Sequence, residues 1–309
     1  MTKAKHLLFI TPGFPENEAD TRCIPPLQDL ALALHRDDRF QVSVIALHYP
    51  YRRHNYQWNG LEVHPIGMRN RPTLRPTGWM RVRRIVKRLQ AAHPIDRIHS
   101  FWLSEAALLG QEFSAKYAIP NYCTLMGQDA RTADRFQKQV DPTRVNIAAL
   151  SQFHAQTYTE RTGVQPEKII PWGLPEFKRP SSTTRNIDLV GVGNLITLKQ
   201  YDHFIEVVHQ LKIDFPDIKA KLIGEGPLMR KLQFEIQRLG LSNHIELTGH
   251  FDRQTVLEYL HRSKLFLHTS SYESYGMVIT EALAMGCHVV SRPVGIASEL
   301  ARARCSANS

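Results

Sequence analysis

The sequence lacks the features that mark secreted and membrane-spanning proteins. Its four cysteines (Cys23, Cys123, Cys287 and Cys305) show no paired spacing, so the sequence indicates neither a disulfide framework nor a zinc site. No apolar run is long enough to span a membrane, and the run at residues 7–10 is too short for a signal peptide. A reducing cytoplasm is the compartment that fits these absences best.

Acidic residues are also scarce relative to basic ones, with 29 Asp and Glu against 39 Lys and Arg and a net charge of +10. This excess predicts an anionic partner, which could be a nucleotide, a phospholipid surface or a nucleic acid. Residues 69–88 carry eight basic side chains and no acidic one. Their prolines predict a loop over 71–76, and the apolar spacing that follows predicts an amphipathic helix.

Two interpretations of this basic segment stay open. It could contact an anionic membrane surface, or it could be a packed helix with a solvated charged face. Nucleic-acid binding rests on charge alone, without a recognisable motif or an aromatic stacking platform, and is not predicted.

A length of 309 residues favours two domains. The chain opens with a strand over 5–11, a turn containing Gly13, a helix over 22–35 and a strand over 41–47, which is the beginning of a doubly wound α/β domain. A second such unit begins at Ile187, and 180–184 read as the linker, which predicts domains 1–180 and 186–309. Gly13 alone is a weak phosphate-loop signal, and the three spaced glycines of the dehydrogenases are absent.

The most informative segment spans residues 270–286, between two short apolar strands. Gly276 stands at a predicted loop-to-helix junction and Gly286 at the helix end. The free N–H groups of such a first helical turn suit a phosphate. Glu273 and Glu281 are eight positions apart, at most roughly 12 Å along a helix axis, which matches a sugar–diphosphate–ribose span. Two surface glutamates on a solvated helix are the plain alternative.

This segment resembles the signature of the retaining glycosyltransferases of the GT-B fold, the large family often numbered 4. That signature is Glu, seven residues and Glu, with an aromatic-Gly-apolar insert like Tyr275-Gly276-Met277. The resemblance implies two doubly wound Rossmann-like domains facing a cleft, and transfer of a hexosyl unit from a nucleoside-diphosphate sugar with retention. It implies that Glu273 contacts the donor-sugar hydroxyls, that Glu281 binds the ribose, and that Gly276 and Met277 lie near the diphosphate.

Further donor-side residues follow from the same resemblance. The family has Gly-Arg-Leu followed by a lysine, and here Lys199 is kept while Asn194 replaces the arginine. Lys199, alone at the mouth of a helix, is expected to act as a point charge on phosphate. Gly249 is expected near the nucleotide base and Gly13 near the cleft. Because no Asp-x-Asp occurs, no metal and no cofactor beyond the nucleotide sugar is expected.

The acceptor side departs from the family pattern. Phe101 and Met126 stand where the family has histidines, and Trp172 replaces an asparagine. His99 and Asp129 remain as the polar candidates there, although a lone histidine is more often a packed structural residue.

The predicted function is hexosyl transfer to a hydroxyl of a glycan or lipid-linked acceptor, in the cytoplasm or at the inner face of the membrane. After residue 300 the sequence is short and polar, whereas the family continues with a strand and closing helices. A chain ending there is expected to have a less stable, incomplete second domain with an uncovered sheet edge. The alternative is therefore an inactive donor-binding or interaction protein. A non-hydrolysing sugar-nucleotide epimerase of the same fold is disfavoured, because the glutamate spacing belongs to the transferases.

Overall fold

The computed structural model describes residues 4–177 and 184–300. The chain divides into two compact units, Met1–Gly173 and Leu174–Ser309. Each unit has a largely parallel sheet with helices between its strands, which confirms the predicted doubly wound α/β architecture. Apart from Thr184, the predicted linker over 180–184 lies outside the described residues, and so does the predicted short end over 301–309.

The first unit is built on an eight-stranded sheet. Its order is β3-β4-β2-β1-β5-β6-β7-β8, and every pairing is parallel except β3 with β4. The strands are β1 Lys5–Gly13, β2 Phe40–Tyr49, β3 Tyr56–Trp58, β4 Leu61–Pro65, β5 Arg97–Phe101, β6 Asn121–Thr124, β7 Asn146–Ala149 and β8 Lys168–Ile169. The helices are α1 Pro25–His35, α2 Arg75–Ala92, α3 Glu105–Tyr117, α4 Gln128–Arg131 and α5 Gln152–Thr162.

Prolines shift two predicted helix starts in this unit. Helix α1 begins at Pro25 and not near Arg22, because Ile24 adopts a left-handed conformation (φ 52°) and Pro25 suits a first helical position. The loop predicted over 71–76 is wrong. Pro72–Leu74 forms a 3-10 turn and Pro76 lies in the first turn of α2, where a missing N–H is tolerated.

The second unit is built on five parallel strands in the order β11-β10-β9-β12-β13. The strands are β9 Ile187–Val192, β10 Ala220–Ile223, β11 Ile245–Gly249, β12 Ser263–His268 and β13 His288–Ser291. The helices are α6 Tyr201–Asp214, α7 Met229–Arg238, α8 Arg253–His261 and α9 Met277–Ala284. None of the helices in the described ranges of either unit has the length and hydropathy needed to cross a lipid bilayer.

Two helix starts predicted in this unit are wrong. Helix α7 begins at Met229, so Pro227 lies in the preceding turn and not at the first helical position. Helix α8 begins at Arg253 and not near Leu257, because the Asp252 carboxylate accepts a hydrogen bond from the N–H of Thr255 at 3.0 Å and caps the helix.

The strand order reverses once in each sheet, between β1 and β5 in the first unit and between β9 and β12 in the second. In open α/β sheets, ligands bind beyond the carboxyl ends of the strands at such a reversal. Most of the predicted site residues follow these strand ends.

Candidate functional site

In the second unit, the loops that follow β9 and β12 are hydrogen-bonded to each other. The Ser271 N–H donates to the Leu198 carbonyl at 2.9 Å, and the Thr269 hydroxyl donates to the Lys199 carbonyl at 2.7 Å. These bonds place Lys199 and Glu273, two residues 74 positions apart in the chain, side by side.

Glu273 is held by two basic side chains. Lys199 Nζ forms an ion pair with Glu273 Oε1, and His268 Nε2 lies 3.1 Å from the same oxygen. The other ring nitrogen of His268 is 2.9 Å from the Ser291 hydroxyl at the end of β13. The prediction that Lys199 stands alone is therefore wrong. His268 was missed because it ends an apolar strand, where a histidine is indistinguishable from a core residue.

These partners fix the charge of Glu273. Burial alone would raise the pKa of this carboxyl, but the hydrogen bonds from His268 and Lys199, together with the lysine charge, outweigh burial and lower the pKa to about 2. Glu273 is therefore ionised at neutral pH and accepts hydrogen bonds without donating any. Its side chain keeps 15% exposure, so a ligand hydroxyl can reach it.

Helix α9 begins and ends at the predicted glycines. Gly276 is the N-cap residue with a φ of 94°, and Gly286 follows the helix with a φ of 73°. No side chain caps the first turn, and its Ile279 N–H donates to the Gly276 carbonyl at 2.9 Å. In the part of the chain that the structure describes, the Met277 and Val278 N–H groups are therefore the ones left for an anion. Met277 is the first helical residue, and the buried Tyr275 accepts a hydrogen bond at its carbonyl from the Ile296 N–H at 2.7 Å.

The second glutamate of the motif has a partner that the sequence did not reveal. Glu281 is buried in α9, and its Oε1 accepts a hydrogen bond from Arg253 Nε at 2.8 Å. Arg253 is the first residue of α8, and the late start predicted for that helix hid it. The Asp252 cap is the signal that could have located it.

The remaining residues predicted on the donor side lie at or after neighbouring strand ends. Asn194 is exposed in the loop after β9, and Gly249 ends β11 with a φ of 77°, its carbonyl accepting from the Gly224 N–H at 2.8 Å. Within residues 184–300 no hydrogen bond joins either residue to Glu273.

In the first unit, aromatic packing surrounds His99. Its ring stacks on Phe101 at 4.5 Å and meets the edge of Phe9 at 5.6 Å, and its Nε2 is 2.8 Å from the Thr124 hydroxyl. Desolvation lowers the pKa of His99 to about 4, so the ring is neutral at pH 7. Phe101 is fully buried and also stacks on Trp172 at 6.4 Å. The position where the family has its second histidine therefore belongs to a packed aromatic cluster.

Asp129 lies at the start of α4 and is buried. Its carboxylate accepts hydrogen bonds from three backbone N–H groups, those of Leu103 at 2.8 Å, Met126 at 2.9 Å and Gly127 at 2.8 Å. Burial raises the pKa of Asp129 despite these donors. This geometry indicates a carboxylate that positions the loops after β5 and β6.

Gly13 ends β1 and packs closely. A Cβ there would lie 3.4 Å from Cys23 Sγ and 3.6 Å from Tyr49 Cβ. Both distances are ordinary van der Waals contacts, so packing alone does not require glycine at this position.

A cavity of about 450 Å³ opens at the carboxyl ends of β1, β2 and β5 in this unit, and the sequence did not predict it. Buried Glu105 lies in its wall and accepts from Arg75 Nε at 3.1 Å and Trp79 Nε1 at 2.6 Å, with His48 Nε2 at 3.3 Å. These contacts join the first turns of α2 and α3 and draw polar groups from distant parts of the chain to one place.

The described residues contain no cluster of three or more His, Cys, Asp and Glu side chains suited to a metal ion. Whether the chemistry of the site requires a metal is not tested by this, and metal independence stays a prediction.

The sequence of the chain is similar to those of known proteins. Residues 175–305 match the family model described as Glycosyl transferases group 1. The chain is 33% identical over 147 residues to an exopolysaccharide phosphotransferase of Streptomyces coelicolor, covering 47% of this chain and 16% of that protein. It is 32% identical over 155 residues to one component of human phosphatidylinositol N-acetylglucosaminyltransferase, covering 48% and 32%. The chain thus spans a third or less of the length of these relatives.

Solved structures resemble the chain over nearly its whole length. Sucrose-phosphate synthase of Thermosynechococcus elongatus aligns with a TM-score of 0.68 and 16% identity, covering 94% of this chain and 82% of that one. HepE of Anabaena with bound UDP aligns with a TM-score of 0.67 and 21% identity, covering 96% and 82%. These likenesses show a shared GT-B fold.

Proposed function

We propose that this chain transfers a hexosyl unit from a nucleoside-diphosphate sugar to a hydroxyl of a glycan or lipid-linked acceptor, with retention. Two findings support this proposal: residues 175–305 match the group 1 glycosyltransferase model, and the fold is GT-B. The observation that carries the proposal is the ionised Glu273, held by Lys199 and His268 where the strand order of the second sheet reverses.

In the proposed step, the bond between the anomeric carbon and the diphosphate oxygen breaks, and the acceptor oxygen bonds to that carbon on the same face. The acceptor hydroxyl loses its proton to the departing diphosphate, so no enzymatic base is needed. Because the acceptor attacks on the face from which the diphosphate leaves, no enzymatic nucleophile is needed either. The protein acts by stabilising the charge that builds up on the leaving group.

Each donor-side group has a distinct part in this step. Glu273 accepts hydrogen bonds from the sugar hydroxyls. Lys199 uses one of the three N–H donors of its ammonium on Glu273 and offers the other two to the diphosphate. The uncapped first turn of α9 offers backbone N–H groups to the same phosphates. Glu281, oriented by Arg253, accepts from the ribose hydroxyls.

The proposal is tested by replacing each glutamate separately. We expect Glu281→Ala to weaken nucleotide binding tenfold or more, because a charge-assisted hydrogen bond contributes about 1.5–3 kcal/mol, and Glu273→Ala mainly to lower turnover. UDP is the first nucleotide to titrate by calorimetry, since it is bound in the HepE structure. Glu246→Ala, at an exposed glutamate of the same unit, is the matched control. Unchanged UDP, GDP and ADP affinity in Glu281→Ala would refute the ribose assignment. Binding without any product from the unaltered chain would favour the inactive donor-binding alternative.

We also propose that α2 contacts an anionic membrane surface near a lipid-linked acceptor. Val82, Val86 and Leu89 are buried in this helix, whereas the basic residues that follow Arg81 are exposed. Arg83 is paired with Glu112 at 2.6 Å and Arg81 donates to the Arg53 carbonyl. The basic side chains of α2 that are exposed and have no ion-pair partner among the described residues are Arg84, Lys87 and Arg88.

A further inference from the structure

The cavity of the first unit has the size and position of a ligand site. Its volume of about 450 Å³ falls in the range of small-molecule pockets, and it opens where the strand order of the sheet reverses. Trp102 lines it with a backbone φ of 69°. A bulky residue rarely adopts this conformation, which is found mainly at functional sites.

The carboxylates in the cavity wall are already engaged by the protein. Glu105 accepts from Arg75, Trp79 and His48, and Asp129 accepts from three backbone amides. Asp134 accepts from the N–H groups of the two residues that begin the next turn, at 2.9 and 2.7 Å. The acidic groups therefore offer little to a ligand.

Two basic side chains in the wall, Arg75 and Arg135, are less completely balanced. The guanidinium carbons of Arg75 and Arg135 lie 5.1 Å and 4.6 Å from the centroid of the Phe136 ring, so the two charges are at most about 10 Å apart. Arg75 donates to Glu105 and Asn70, while Arg135 has no carboxylate partner in the described part of the chain. Glu105 therefore balances only one of the two charges, and the other favours a bound anion beside Arg135.

We infer that this cavity binds the acceptor as a saccharide carrying a phosphate or carboxylate group. Arg135, with Arg75 beside the same Phe136 ring, would bind the anionic group, and the Trp102 indole would lie against the sugar ring. The assignment of this ligand as the acceptor rests on the proposed transferase function, whereas its binding does not.

The test is a fluorescence titration of the full chain without nucleotide. All four tryptophans lie in the first unit, so the signal reports on that unit. Glucuronic acid and glucose 6-phosphate are the charged probes, and glucose and inorganic phosphate are their neutral and sugar-free counterparts. We expect both charged sugars, or one of them, to bind at least tenfold more tightly than glucose and than inorganic phosphate. The stronger of the two identifies the anionic group.

Two variants locate the binding. Arg135→Ala should remove most of the preference for the charged sugar, whereas Arg36→Ala, at an exposed arginine that does not line the cavity, should leave it unchanged. Equal binding of glucose and the charged sugars, or an Arg135→Ala variant that behaves like Arg36→Ala, would overturn the inference. UDP titration in the same samples separates this failure from a failure of the donor site, because the donor residues lie in the second unit.

Discussion

At the scale of single residues, the positions of the two motif glutamates were predictable and their partners were not. The spacing of Glu273 and Glu281 is local in sequence, so it could be read directly. Lys199 reaches Glu273 only because separate loops are joined by tertiary hydrogen bonds. His268 is only five positions from Glu273, but at the end of an apolar strand it looks like a core residue in the sequence. Asp129 was predicted as a catalytic candidate, but its environment of backbone amides could not be seen in the sequence.

Arg253 gives a prediction at this scale. Arg253→Ala should weaken UDP binding tenfold or more, because Glu281 would lose the hydrogen bond at 2.8 Å that orients its carboxylate toward the ribose. Calorimetry of the two single variants and the double variant checks this, since residues acting through one contact give losses that do not add. The matched control is Arg262→Ala, at the exposed arginine that follows the same helix. Losses that sum fully in the double variant would show that Arg253 does not act through Glu281.

At the scale of elements, the helix boundaries predicted from glycine agree with the structure, whereas those predicted from proline do not. Gly163 and Gly286 both follow helices with positive φ, as their positions predicted. Pro72 and Pro76 suggested a loop, although proline is tolerated in the first turn of a helix, which is where Pro76 lies. Proline therefore marks a helix boundary without showing on which side of it the helix lies.

Helix α2 gives a prediction about lipid binding. Replacing its three unpaired exposed basic residues with alanine should remove most binding to anionic vesicles at low salt, since each contributes about 1 kcal/mol at such a surface. Sedimentation with phosphatidylserine-containing and purely phosphatidylcholine vesicles measures this. A control variant with the same charge change carries alanine at the exposed residues Lys138, Arg230 and Lys231. Equal loss of vesicle binding in both variants, or equal binding to the two kinds of vesicle, would contradict membrane contact and support a packed helix with a solvated charged face.

Buried histidines predict acid sensitivity of the first unit. His64 on β4 is fully buried, and burial, with added repulsion from Arg88 and Arg81, lowers its pKa to about 4. The unfolded chain binds a proton near pH 6.5 and the folded chain only near pH 4, so stability is present above pH 6.5 and falls as the pH drops toward 4. For His64 this loss in the free energy of unfolding is about 3 kcal/mol.

Urea unfolding followed by tryptophan fluorescence at pH 7.5 and pH 4.5 measures this loss in the first unit. His64→Leu should reduce the difference between the two pH values, and His54→Leu, at an exposed histidine, should not. Identical pH dependence in all three proteins would contradict the assignment to His64. His99 and His154, whose pKa values burial likewise lowers to about 4, account for the remaining acid sensitivity.

At the scale of the whole molecule, alternating strands and helices made the fold predictable, because parallel strands need helical crossovers and each crossover leaves its own apolar pattern. The cavity of the first unit was not predictable in this way. Its wall collects residues from β1 and β2 and from segments beginning at Asn70, Trp102 and Gln128, which no local pattern connects. The proposed acceptor side depends on such assembly and is therefore where the sequence was least informative.

The central claim, that Glu273 holds a donor sugar during retaining transfer, is tested most directly by the anomer released in slow hydrolysis of nucleoside-diphosphate sugars. The chain is incubated with a panel of α-configured UDP-, GDP- and ADP-hexoses and followed by proton NMR before mutarotation is complete. We predict that the α-hexose appears first and that Glu273→Ala lowers its release tenfold or more, while Glu246→Ala leaves it unchanged. First appearance of the β-hexose, or undiminished release by Glu273→Ala, would contradict the account.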